Sequence, residues 1–411
     1  MKNLFRSIGP AIIVAAVVLG PGSILTSSKV GASFGYIGVP VICAAAFLMI
    51  AMVALSARIG VIFEKSPCDE LAARLGRPVA VAVGLILFLL VAIFQNSNNI
   101  AVAAGLEPLL EKTPGAGIST TAKIITVVVM NALVIASLYL MRNLYSSVEK
   151  LMKILIGLIV ISFLFNFVVA HLQPRSYEPV VPAGPRDWIP LLGMIGTTFS
   201  VGGAFYQAYL VKEKGWGIAD AKKGVVDSVV SISLLGLVTI VILLTATRIF
   251  YGNPGVTLGS VGDVARQLEP LFGSSSKVIF AIGILAGAAS SFLVNAMIGG
   301  TVMADSLGKG SRLTEKWPLH LTTVALLCGM VISIFAMRNK ESTVNLITFA
   351  QACTVLGIPA LAAALIYLGT RKDLTGDRKV PRWILVIAII GFIVACGLAV
   401  KTALTVYDKI M

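Results

Sequence analysis

The 411 residues are 57% hydrophobic and only 13% charged, where a soluble domain carries about 25% charged residues. That excludes a water-soluble globular fold, and several apolar runs reach the ~20 residues that cross a bilayer. The net charge of +14, from 33 Lys and Arg against 19 Asp and Glu, reads as the Lys/Arg excess of cytoplasmic loops rather than as a nucleic-acid-binding surface.

The first apolar run, near residues 8–34, is interrupted at Gly20-Pro21-Gly22-Ser23. Proline removes a backbone N–H and glycine disfavours helix, so the helix is expected to unwind there. Unwound backbone persists in a bilayer only where protein or a water-filled cavity satisfies its freed groups. The break therefore reads as the binding site of a transporter. The opening segment lacks the small-residue cleavage site of a signal peptide.

Ten further spans are expected near 38–63, 79–110, 121–141, 149–170, 188–211, 224–249, 277–305, 317–337, 343–369 and 382–405. The third carries Gln95-Asn96-Ser97-Asn98-Asn99, amides that must line a cavity or bridge helices. The sixth is interrupted at Ser200-Val201-Gly202-Gly203, and a linker with Pro174, Pro179, Pro182 and Pro185 precedes it. With the N-terminus in the cytoplasm, 21 Lys and Arg fall on the cytoplasmic side and 11 on the outer side, Lys29 apart. This bias predicts an N-terminus inside and a C-terminus outside, in a bacterial inner membrane.

Two interrupted helices five spans apart mark two inverted five-helix repeats. The expected architecture is one all-α transmembrane domain over 1–411, with repeats at about 8–170 and 188–369 and an extra helix at 382–405. Cys43, Cys68, Cys328, Cys353 and Cys396 form neither a CxxC nor a Cys/His cluster, against a zinc site or disulfide framework. Cys68-Asp69-Glu70 reads as a solvated helix start rather than a metal site. No P-loop, catalytic triad or metal-hydrolase motif is present, so the chain does not read as an enzyme.

With both breaks placed, the chain resembles the natural resistance-associated macrophage protein (NRAMP) family. The resemblance rests on Gly9-Pro10-Ala11, Gly20-Pro21-Gly22-Ser23 and Gly31-Ala32-Ser33-Phe34-Gly35-Tyr36 in span 1, Val302-Met303 in span 8, and Gln351 and Pro359 in span 10. It implies the LeuT fold and proton-coupled divalent-metal transport. The chain departs from the family where metal is held. The family's metal-binding Asp and Asn of the first break fall on Gly20 and Ser23, and its sixth-span Ala and Met on Thr197 and Ser200. Its sixth-span histidines fall on Gly202 and Gln207, and its third-span acidic pair on Asn99 and Val102. The two histidines present, His171 and His320, lie near span ends.

Such a site offers neutral oxygen only, a poor match for a dehydrated divalent cation in low dielectric. A helix starting near Ser23 offers free N–H groups and the positive end of its dipole. The main expectation is therefore a small carboxylate or other anion-bearing solute, held by Gly20, Gly22, Ser23, Thr197, Ser200, Gly202, Gly203 and Gln351. The alternatives are Mg²⁺ or Mn²⁺ carried by neutral oxygens and water, and a membrane sensor that does not transport.

Lys29, Asn99 and Gln207 are pathway candidates. Lys29 reads either as functional or as snorkelling to the outer interface. Ser290-Ser291 matches paired serines of the family, which imply either a coupling Na⁺ site or ordinary small-residue helix packing. No other cofactor, no nucleic acid and no obligate protein partner is expected beyond the lipid bilayer and the solute or ion.

Overall fold

The structure, a computed structural model, describes residues 9–110, 118–140, 144–174, 177–180, 187–253, 275–338 and 343–410. Its elements in chain order begin with α1 (Ala11–Val18) and α2 (Pro21–Phe34). A 3₁₀ turn at Gly35–Ile37 leads into α3 (Gly38–Ile62). Then come the short α4 (Pro67–Leu75), α5 (Arg77–Leu110), α6 (Thr120–Leu140) and α7 (Leu144–Leu172). The second half runs through α8 (Ile189–Thr198), α9 (Val201–Glu213), α10 (Ala221–Phe250), α11 (Ser275–Ser306) and α12 (Lys316–Met337). It ends with α13 (Thr343–Cys353), α14 (Ile358–Gly369) and α15 (Arg382–Ile410). The linker residues Pro182 and Pro185, and Lys2 and Arg6 of the charge count, lie outside the described residues.

Among the described residues, ten helical stretches are long and apolar enough to cross a membrane. The first, Pro21–Ile62, contains two crossings joined at the 3₁₀ turn, so eleven spans result, with α1 and α2 together forming the first. Two packed groups hold them: α2 and α9 lie with α3 and α10, while α5, α7 and α12 lie against α11. All of α1 is buried, as suits a helix apolar on every face. The peripheral helices expose Leu133, Leu140, Ile393 and Leu404, an apolar belt suited to lipid.

The first break forms within the expected stretch but is shorter than expected, since Pro21, Gly22 and Ser23 already belong to α2. Leu19 closes α1 by donating its N–H to the Ala15 carbonyl, Gly20 is extended (φ −72°, ψ 173°), and Pro21 starts α2. Proline needs no N–H at a first helical position, so the same residue that ends one half-helix opens the next.

The sixth-span break differs from the expectation. The non-helical residues are Phe199 (ψ 57°) and Ser200 (ψ 82°), while Gly202 and Gly203 already belong to the first turn of α9. Their glycines serve close packing: a Cβ on Gly202 would lie 2.8 Å from Leu87 Cδ1, and one on Gly203 3.2 Å from Val14 Cγ1. The tenth span is broken as well, by a 3₁₀ turn at Thr354–Gly357 ahead of Pro359.

Candidate functional site

At the first break, two side chains fill the space that the glycines leave. A Cβ on Gly20 would collide with Ser291 Oγ and stand 2.8 Å from Ser291 Cβ. A Cβ on Gly22 would stand 2.5 Å from Gln351 Cδ. The glycines were expected to let a solute reach the backbone; in this conformation Ser291 and Gln351 take that space. Ser290 Oγ donates to the Ala16 carbonyl (2.9 Å), and Ser291 Oγ donates to the Val17 carbonyl. These carbonyls end α1, where no following turn can satisfy them. The paired serines thus face the first break, as the sequence suggested.

Gln351 ties the tenth span to the third by donating Nε2–H to Ser97 Oγ at 2.6 Å, while its Oε1 has no partner among the described residues. The rest of the amide run builds a bridge. Gln95 donates to the Phe292 carbonyl (2.7 Å), Asn98 to Gln95 Oε1 (2.8 Å), and Asn131 of α6 to Asn99 Oδ1 (2.7 Å). In this conformation Asn99 is a fully buried joint between α5 and α6.

Gln207 is fully buried, and neither amide atom has a partner among the described residues. Thr197 spends its hydroxyl on the Met194 carbonyl one turn back (3.0 Å). Ser23 is buried in the first turn of α2, and Lys29, half-buried in the same helix, is engaged with a neighbour.

Beside the sixth-span break lies a small cavity with space for water-sized groups of about 30 Å³. Ser200, Gly202 and Gly203 line it with Asn295 of α11, Thr354 of the tenth-span turn and an apolar wall including Phe94. Asn295 is 5% exposed and its Nδ2 has no partner among the described residues. Sequence reading missed Asn295 and Thr354, although a lone amide in the run Phe292–Met297 is itself a signal.

On the face where α1 begins, two buried carboxylates, also missed, tie segments distant in sequence together. Asp227 of α10 accepts the backbone N–H of Gly9 (2.7 Å) and of Ala11 (2.8 Å), capping α1 from another span. Asp305, at the end of α11, accepts from Tyr209 of α9 (2.6 Å), Ser66 (2.5 Å) and the Cys68 N–H (3.1 Å). Burial and the neighbouring Asp305 push the Cys68 thiol well above its usual range. Asp69 and Glu70 sit in the first turn of α4, as read from sequence; Asp69 pairs with Arg77, and Glu70 with Arg371. A wider cavity of about 740 Å³ opens on this face, lined by Glu64, Lys65, Lys212, Glu213, Trp216 and Arg312. Among the described residues no three His, Cys, Asp or Glu side chains come together to hold a metal ion.

The geometry can be set beside known proteins. A family described as natural resistance-associated macrophage protein-like matches residues 11–405. The chain is 22% identical to a divalent metal cation transporter of Verminephrobacter eiseniae, over 97% of this chain and 88% of that protein. It is 25% identical to one of Staphylococcus saprophyticus, over 94% and 89%. In fold it is similar to the crystal structure of a manganese transporter of Eremococcus coleocola (TM-score 0.78, 20% identity, 98% of this chain and 86% of that one). It is also similar to a nucleobase-cation-symport-1 family transporter in a closed conformation (TM-score 0.61, 10% identity, 97% and 90%).

The expectation of an anion-bearing solute as the main cargo finds no support in these relatives. The geometry gives it little room in this conformation, since Ser291 and Gln351 cover the first break and the cavity at the sixth holds about two waters at most.

Proposed function

The chain belongs to the natural resistance-associated macrophage protein-like family, and from that premise we propose that its cargo is a divalent metal cation, Mg²⁺ or Mn²⁺, carried with part of its water. It is an integral membrane transporter with a LeuT-like fold, not an enzyme. The observation that carries the cargo reading is the family match over nearly the whole chain, with relatives named as divalent metal cation transporters.

The site's chemistry narrows which cation fits. Ser23, Ser200, Thr354, Gln351 and the backbone carbonyls of the breaks provide neutral oxygen. Hard cations that keep several waters need the fewest protein ligands, which favours Mg²⁺ and disfavours a fully dehydrated ion. Thioether or imidazole ligands that would select softer metals do not meet at the breaks. Transport proceeds by alternating access, α1–α2 and α8–α9 moving against the α5–α11 framework. The Lys/Arg bias supports a cytoplasmic N-terminus in a bacterial inner membrane. It makes the 740 Å³ cavity the inner vestibule.

Sodium is the proposed coupling ion, at Ser290 and Ser291, whose hydroxyls meet the carbonyl ends of α1. A small carboxylate remains a second reading, because Gly20, the residue that caps α2, provides no carboxylate to repel an anion.

Uptake into proteoliposomes decides among these. Mn²⁺ and Mg²⁺ uptake, reduced by Ser23→Ala, is the expected result. Uptake of a carboxylate with no flux or binding of either cation would reverse the choice. No flux of any solute would favour a sensor.

A further inference from the structure

Resting on the cation reading above, we propose that Asn295 contacts the cargo and sets its selectivity. Its amide lines a water-sized cell between the breaks of spans six and ten. Four observations converge on that cell. It lies between the unwound residues Phe199–Ser200, where backbone groups are released from helix pairing, and the 3₁₀ turn Thr354–Gly357, where the α-helical ladder is interrupted. Asn295, 5% exposed, lines it, and its Nδ2 has no partner among the described residues. A buried amide without a partner is costly, so it is retained where a ligand or water completes it. Thr354 Oγ1 has committed its proton to the Gln351 carbonyl at 2.6 Å, so toward the cell it is an acceptor only. Ser200 adds a second hydroxyl that makes no capping bond to α9.

The oxygen and nitrogen of an amide exchange places by a half-turn of the side chain. Turned so, Asn295 offers Oδ1 to the same cell that Thr354 and Ser200 line, three neutral oxygens for a cation. Leu87, Leu90, Val91 and Phe94 complete the lining and bind nothing polar. At about 30 Å³ the cell has room in this conformation for one cation-sized group and about one water, and the rest of the cation's water requires the wider conformations of alternating access. No carboxylate reaches it, so the amide dipole and hydroxyls supply all side-chain compensation.

The test uses the full-length protein, with Mn²⁺ and Mg²⁺ titrated calorimetrically and their uptake measured in proteoliposomes. Asn295→Ala is expected to weaken binding of both ions roughly tenfold, the usual worth of a hydrogen-bonding or ligating group to a charge. Asn295→Asp is expected to tighten both by at least as much, because it adds charge at the same place. Asn295→Thr, which keeps a neutral oxygen, retains binding and provides a folded comparison should the alanine variant fail to purify. Wild type that binds and carries a cation while the Ala and Asp variants match it overturns this assignment alone. Wild type that neither binds nor carries either cation overturns the cation reading and this assignment with it. Loss of binding in Asn295→Asp accompanied by carboxylate uptake in wild type does the same.

Discussion

Ser291 on α11 occupies the space that a side chain at Gly20 would need. The two positions lie 271 residues apart in sequence, yet a Cβ on Gly20 would stand 2.8 Å from Ser291 Cβ. The family resemblance places an aspartate at Gly20, where in this conformation Ser291 leaves no room for a side chain. Ser291 also donates to the Val17 carbonyl, which α1 cannot satisfy by itself.

Restoring the carboxylate alone should fail for this reason. Gly20→Asp is expected to destabilise the protein by ~1–3 kcal/mol through overpacking and to leave Mn²⁺ affinity unimproved. Gly20→Asp combined with Ser291→Gly should recover the folded yield and bind Mn²⁺ more tightly than wild type. Thermal melts and titration calorimetry report the two effects separately. A single Gly20→Asp variant as stable as wild type would mean that α11 yields easily there.

The serine pair makes a second prediction about coupling. If Na⁺ binds where Ser290 and Ser291 meet the carbonyls of Ala16 and Val17, Na⁺ should raise the melting temperature of wild type by linkage. Ser290→Ala with Ser291→Ala should abolish that rise and the sodium dependence of uptake. Equal flux with and without a sodium gradient would leave the serines as carbonyl caps only.

Asp227 predicts how α1 is held. Its two oxygens take the N–H groups of Gly9 and Ala11, so Asp227→Ala leaves two buried donors without an acceptor. The expected cost is ~1–3 kcal/mol per orphaned group. Faster labelling of a cysteine introduced at Ala11 should accompany it, as the half-helix loosens. Asp227→Asn keeps one acceptor and should fall between. Unchanged labelling in Asp227→Ala would show that other contacts hold α1.

Cys68 gives a pH test at the same face. Its folded thiol is pushed up by burial and by Asp305, so the folded state holds this proton more tightly than the unfolded chain does. The associated stability is fully present below the ordinary thiol value near about 8.5 and is lost as pH rises above it. Alkylation of Cys68 should be slow at pH 7–8, and Tyr209→Phe, which removes the hydroxyl whose hydrogen bond pulls the thiol back down, should slow it further. Rapid alkylation in wild type would show that this face stands open in solution.

Much of the fold was legible because bilayer crossing leaves long apolar runs and because Pro21 is incompatible with continuous helix. The first break fell at Gly20–Pro21 as read. The sixth did not fall at its glycines: Gly202 and Gly203 are helical, and the chain unwinds at Phe199–Ser200, residues with no intrinsic aversion to helix. That Gly20 and Ser200 carry neither carboxylate nor thioether could be read directly. That Asn295 and Thr354 line one cavity could not, since an amide in an apolar run does not say which helix it faces.

By itself, then, the sequence determined a polytopic membrane chain and the break at Gly20-Pro21. These follow from local chemistry: a missing N–H, a missing side chain, a run of apolar residues. Only the tertiary structure decided that Ser291 and Gln351 fill the first break, that the sixth and tenth breaks share a water-sized cell, and that Asp227 caps α1 from another span. Each of those depends on groups far apart in sequence being brought within contact, and no local propensity encodes that.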